Sequence, residues 1–179
     1  TYNNRLSLLE DAEASVDLKV ELIKKAKHHV HIVTFFWDDS AVPKRLADEL
    51  NKANARGVEV RILTSYVATL GTDPFGKGKR TLNYKSKTAT FSYLSLTPAA
   101  TFSLNNSLHE KIFLVDDKVA ILGGRNTSNS SLNGKDLEIL MEGPVVNQVQ
   151  DHFKRMHDFL VNQKISIHSS SSCDYRKCR

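Results

Sequence analysis

Residues 30–63, VHIVTFFWDDSAVPKRLADELNKANARGVEVRIL, carry the pattern on which the fold turns. Val30 to Trp37 form an unbroken β-branched and aromatic run, the mark of a buried strand. Val42, Leu46, Leu50 and Ala53 then recur at helical spacing, and Gly57 stands where a left-handed C-terminal cap belongs. Asp38 and Asp39 lie between strand and helix and are expected to cap the helix N-terminus. VEVRIL, residues 58–63, returns to strand composition. Strand, helix and strand in that order imply two parallel strands joined by a crossover. The expected fold class is α/β, a mixed β-sheet flanked by helices.

Working outward, Leu18, Leu22, Ile23 and Ala26 mark one face of a preceding helix. His28, His29 and His31 sit where that helix ends and the strand begins, which favours cap and core roles over metal ligation. Downstream, residues 68–90 hold three glycines, Pro74 and a basic cluster, and read as a surface loop. Its Lys77, Lys79 and Arg80, followed by Lys85 and Lys87, are candidates for contact with a phosphate-bearing substrate. TFSYLSL, residues 90–96, has strand composition. GPVVNQVQDHFKRMHDFLVNQ closes the domain as a helix, with Pro144 near its first turn and Val149, Phe153, Met156 and Leu160 expected on its inner face. His152 and His157, five apart, do not share a face well enough to pair on a metal.

The 179 residues, 40% of them hydrophobic, suffice for one core and are few for two. Residues 1–162 are therefore assigned to one domain and 163–179 to a polar tail or linker, where Cys173 and Cys178 are spaced for a small disulfide loop or two free thiols. No apolar run is long enough to span a bilayer, and the N-terminus lacks a signal-peptide layout. The net charge of +5 favours anionic partners: phosphates, nucleic acid or anionic lipid headgroups.

The chemistry concentrates in LHEKIFLVDDKVAILGGRN, residues 108–126. Two strands are expected to form a hairpin, with a two-residue turn at Asp116 and Asp117 pairing Val115 with Lys118, Lys111 with Leu122 and His109 with Gly124. His109 and Lys111, two apart, then share a face. Gly123 and Gly124 are expected to leave open space beside the imidazole, and Asn126 to bring an amide donor there. A neutral imidazole attacks phosphorus, a lysine neutralises phosphoryl oxygens, and an amide or backbone N–H stabilises the charged transition state. This set needs no metal and no cofactor.

HEKIFLVD resembles the HxKxxxxD motif of the phospholipase D superfamily through His109, Lys111 and Asp116, and GGRN resembles that family's Gly-Gly-x-Asn element. Residues 15–162 as a whole look like the N-terminal half of a bacterial cardiolipin synthase-like protein. The resemblance implies a phospholipase D-like single-motif domain in which His109 forms a phosphohistidine intermediate. Lys111, Gly124 and Asn126 would bind phosphate, and Asp116 would shape the turn. A later carboxylate orients the nucleophilic imidazole in many members, as in a triad. Asp136 is its positional match, and Glu138, two residues on, is a rival.

The family's reaction needs a second histidine, and this chain holds one motif. The other half is expected from a missing C-terminal half or from a homodimer mate across an isologous interface. The implied function is phosphodiester hydrolysis or phosphatidyl transfer on phospholipid headgroups, with peripheral membrane contact through Trp37 and Phe75 weighed against simple packing. The alternatives are a dimeric metal-independent endonuclease and a non-catalytic phosphate-binding half-domain. The compartment is left open among periplasmic, secreted and membrane-peripheral.

Overall fold

Val30 to Thr34 lie within β2 (His29–Thr34), which sits between β3 (Glu59–Ser65), parallel to it, and β7 (Ile112–Val115), antiparallel. The computed structural model describes residues 3–35, 37–38, 40–65, 82–83, 88–89, 101–105 and 108–162. Around this centre the sheet runs in the order β1-β9-β8-β7-β2-β3-β6. The added strands are β1 (Arg5–Leu9), β6 (Thr101–Asn105), β8 (Val119–Gly123) and β9 (Glu138–Glu142). A separate two-residue ladder pairs β4 (Leu82–Asn83) with β5 (Thr88–Ala89). Helices α1 (Ala12–Lys25) and α2 (Ala41–Ala55) cover one face of the sheet, and α3 (Val145–Asn162) packs on the other. The α/β class and the mixed sheet are as expected. Among the described residues no helix is long and apolar enough to cross a membrane.

Because β2 is covered on both faces, its side chains divide between two cores. Val30 and Ile32 join Val20, Ile23, Leu46, Leu50 and Val60 beneath α1 and α2, while Val33 joins Leu63, Leu114 and Phe153 beneath α3. Trp37 is fully buried in the first core, which removes it as a lipid contact. Gly57 adopts φ +89° just past α2, as a left-handed cap requires. The helix begins differently from expectation. Ser40 is the N-cap, Asp38 folds back onto it, and Asn129 accepts from the Val42 N–H at 2.8 Å.

Several inner faces are turned from where periodicity put them. In α1 the buried stripe is Ser15, Val16, Val20 and Ile23, with Leu18 and Leu22 flanking it. In α3 the buried residues are Val146, Gln150, Phe153 and His157, with Val149 and Met156 half-buried beside them. The cause lies in the sheet: His31 is 2% exposed beneath α3, stacks on Phe153 at 4.4 Å and meets Gln150 at 3.2 Å. A buried imidazole draws polar and aromatic partners inward.

The hairpin is one residue out of the expected register. Val115 pairs with Val119, Leu114 with Ala120 and Ile112 with Leu122, so Lys118 is an extra residue in the reversal. Asp116 and Asp117 both take φ 53°, a left-handed conformation aspartate tolerates, and the Lys118 N–H donates to Val115 O. The Asp116 carboxylate fixes this geometry by accepting from the backbone N–H groups of Lys27, His28 and His29 at 2.8, 2.7 and 2.9 Å. Strand TFSYLSL, the basic loop with Lys77, Lys79, Arg80, Lys85 and Lys87, Phe75, Leu160's side chain, His168 and the cysteine pair lie outside the described residues.

Candidate functional site

Four sheet strands deliver their flanking residues to one edge. Phe35 follows β2, His109 and Lys111 precede β7, Asn126 follows β8, and Asp136 precedes β9. Their neighbours along the edge are held by the Thr127 N–H donating to Thr34 Oγ at 3.2 Å and by a bridge between Trp37 and Thr127. The asparagine loop is thus pinned to the end of the central strand.

Lys111 folds back over His109. Its Nζ donates to the His109 carbonyl at 2.6 Å and lies 3.2 and 3.3 Å from the two ring nitrogens. Phe35 backs both, 4.7 Å from the imidazole centroid and 5.3 Å from the ammonium. Partial burial lowers the Lys111 pKa, and the Asp136 carboxylate opposes that shift, which puts Asp136 in electrostatic reach of the ammonium. Glu110, between the two motif residues, turns to the other face and pairs with His152 of α3 at 2.7 Å.

The glycines serve a purpose other than the expected one. A Cβ on Gly124 would collide with the Asp136 carboxylate, and one on Gly123 with Leu137 O and the Glu138 backbone. The space they leave is filled by the start of β9, not left open beside His109. Gly124 therefore contributes by admitting Asp136, whose Oδ1 also accepts the Leu137 N–H at 2.8 Å. Among the described residues no hydrogen bond joins Asp136 to His109.

Glu138 is drawn elsewhere. It is buried, accepts from Ser15 and Lys19 of α1, and lies 3.7 Å from Arg125. Burial lowers the pKa of Lys19, opposed by the Glu138 carboxylate beside it. Arg125 in turn donates to the carbonyls of Leu9 and Glu10. Lys19, Glu138 and Arg125 line a cavity of about 30 Å³ together with Lys111 and Asn126. The Asn126 side-chain oxygen is buried with no hydrogen-bond partner among the described residues. An amide in that position, in either of its two orientations, is free to serve a ligand oxygen or donor.

Sequence reasoning missed Phe35, Ser15, Lys19 and Arg125. An aromatic just beyond a buried strand was the one readable signal, for Phe35. The set combines a nucleophilic nitrogen, an ammonium, a buried amide and a carboxylate, which suits attack on a phosphodiester and stabilisation of its oxyanion. Among the described residues no cluster of three or more His, Cys, Asp or Glu side chains is arranged to hold a metal ion.

A mixed sheet carrying this motif at its edge defines a phospholipase D superfamily domain. A family model described as "Cardiolipin synthase, PLD-like domain" matches residues 20–157, and the chain belongs to that family. It is 26% identical over 160 residues to a cardiolipin synthase of Staphylococcus aureus, covering 86% of this chain and 32% of that protein. The chain thus spans about a third of the length of the curated relatives it matches. In fold it resembles phosphatidylserine synthase of Haemophilus influenzae, with TM-score 0.68, 15% identity and coverage of 88% of this chain and 37% of the other. It also resembles Nuc of Salmonella typhimurium, a phospholipase D family member, with TM-score 0.62, 14% identity and coverage of 87% and 95%.

Proposed function

We propose that this domain supplies one half of a phosphodiester-processing site that acts on phospholipid headgroups. The juxtaposition of His109 and Lys111 at the sheet edge, with Asn126 and Asp136 beside them, is the observation that carries the reading. In it His109 attacks phosphorus, and the bond from phosphorus to the leaving alkoxide breaks as the nitrogen–phosphorus bond forms. Lys111 neutralises the non-bridging oxygens, and the Asn126 amide completes the phosphate cradle; the Gly124 N–H is already donated to Leu137 O and so is not part of it. Asp136 balances the lysine charge next to the nucleophile. A histidine from a second motif protonates the leaving alcohol and then activates water or an acceptor alcohol. The family description and the named relatives support the lipid substrate.

A second reading, a homodimer acting on nucleic-acid phosphodiesters, draws on the net charge of +5, which favours polyanionic partners. It predicts activity that falls steeply with added salt, through release of counterions.

The test compares wild-type chain and His109→Asn on phosphatidylglycerol vesicles and on a chromogenic phosphodiester, with acid-labile phosphohistidine sought by phosphorus NMR. The expected outcome is no turnover and no phosphohistidine in the variant, an unchanged melting curve, and no loss of wild-type activity in EDTA. Turnover retained by His109→Asn refutes the assignment.

A further inference from the structure

An open groove of about 480 Å³ runs along one flank of α3, where Val145, Val149 and His152 recur at helical spacing over about 10 Å. Its volume lies in the range of small-molecule sites. Leu122 and Met141 of the sheet form its floor. Met141 pairs in register with Leu6 of β1, and residues paired across strands share a face. Leu6 is 62% exposed, so the apolar floor carries on past the groove onto the edge strand. The whole apolar track is about 15 Å long, the extended length of a dodecyl tail.

The charged groups along this track are few and already answered. Glu110 and His152 pair with each other at 2.7 Å where the groove nears the motif, and Arg5 pairs with Glu142 beyond Leu6. A nucleic-acid backbone needs cations spaced along its phosphates, and among the groove-lining residues only Lys111 offers an unpaired one. The walls offer hydrocarbon instead, with the flexible Met141 thioether to adapt to the shape of a guest.

Lys111 lines the groove at its end, together with Gly123, and its ammonium lies 3.2 Å from the nearer ring nitrogen of His109. Gly123 carries no side chain to close the passage between groove and motif. A ligand matching both parts is an amphiphile, with an anionic phosphate for the ammonium and a linear hydrocarbon for the track.

We propose that the groove holds one hydrocarbon tail of a phosphate-bearing lipid, laid along α3 with the phosphate at Lys111 and the far end over Leu6. The tail fixes the lipid lengthwise, so the phosphorus is held at His109 by two separated contacts rather than one. The proposal rests on the reading of Lys111 as a phosphate ligand and adds a seat for the tail.

The test is calorimetric titration of the full chain with butyl, octyl and dodecyl phosphate, each below its micelle concentration. Half-burial in an open groove is expected to raise affinity by about twofold per methylene, so dodecyl phosphate binds roughly two-hundredfold tighter than butyl phosphate. Val149→Phe fills the groove without a change of charge. It is expected to weaken dodecyl phosphate by roughly tenfold, the contact of three or four methylenes, and to leave butyl phosphate unchanged. Val145→Phe, in the first turn of α3, makes the same test if Val149→Phe lowers the melting temperature. Lys111→Gln is expected to weaken all three ligands by a common factor and to keep the dependence on chain length. Equal affinity for the three chain lengths overturns the proposal and leaves the phosphate site standing. A dependence on chain length that neither phenylalanine variant changes puts the tail elsewhere and also overturns it. Affinities indifferent to Lys111→Gln disconnect the tail from the motif, which overturns the proposal and counts against the phosphate reading itself. Failure of all three ligands to bind overturns both.

Discussion

Asp116→Ala is expected to cost this domain stability. The carboxylate accepts three backbone N–H groups at the junction of α1 and β2 and holds a left-handed residue in the hairpin. Hydrogen bonds to a charged acceptor contribute about 1.5–3 kcal/mol each when shielded, and two of these are solvent-exposed, so about 1 kcal/mol apiece is the working figure. Alanine at φ 53° adds about 1 kcal/mol of strain. The total, about 4 kcal/mol, corresponds to a melting temperature lower by roughly 8–16 °C for a domain of this size. Asp116→Asn keeps one acceptor oxygen and tolerance of the left-handed region, so about half that loss is expected. The assay is thermal and urea unfolding followed by circular dichroism at neutral pH. Partial burial would raise the Asp116 pKa, but the three donors overcome it and hold the carboxyl below the usual range. Its stabilisation is therefore present above about pH 3.9 and lost as pH falls through the lower folded value, where the gap between wild type and Asp116→Ala narrows toward the strain contribution alone. An Asp116→Ala protein within about 1 kcal/mol of wild type at neutral pH refutes the clamp.

Lys19→Met leaves the buried Glu138 carboxylate without its main counter-charge and is expected to destabilise by about 3 kcal/mol; Lys19→Met/Glu138→Leu recovers most of that in urea midpoints. His31, its pKa pushed down to about 4 by burial, binds its proton more weakly folded than unfolded. Stability then rises with pH between about 4 and 6.5 by about 3 kcal/mol, and urea titrations of His31→Phe are expected to lack that part of the slope. Gly124→Ala is expected to displace Asp136 and lower turnover by about a hundredfold, while Gly134→Ala, which meets nothing within 4 Å, serves as a silent control.

The central strand–helix–strand unit was legible because β2 and β3 are rich in β-branched and apolar residues, and α2 shows its inner face at plain helical spacing. His109 and Lys111 were legible as neighbours because residues two apart in an extended segment share a face. The hairpin register was not, since one extra residue in the turn is set by Asp116 gripping the end of α1, far away in sequence. β1 escaped notice because the alternation in RLSL is only four residues long, and in the fold its leucines, Leu6 and Leu8, are exposed rather than buried. The separate placements of the Asp136 and Glu138 carboxylates were equally invisible locally. They depend on Gly124 admitting one carboxylate and on Ser15 and Lys19 claiming the other. The polar inner face of α3 follows from His31, a tertiary fact no helical periodicity contains.

The reach of Glu138 also sets a timetable. Ser15 is made 123 residues before the carboxylate it contacts, and β1 precedes by a similar interval the strand that pairs with it. At about 5–20 residues per second of synthesis, α1 and β1 wait on the order of ten seconds for their partners. Throughout that wait the Lys19 ammonium lacks the Glu138 carboxylate, and β1 lacks the strand it pairs with. β9 then brings both partners together, since it pairs with β1 and carries Glu138 to α1.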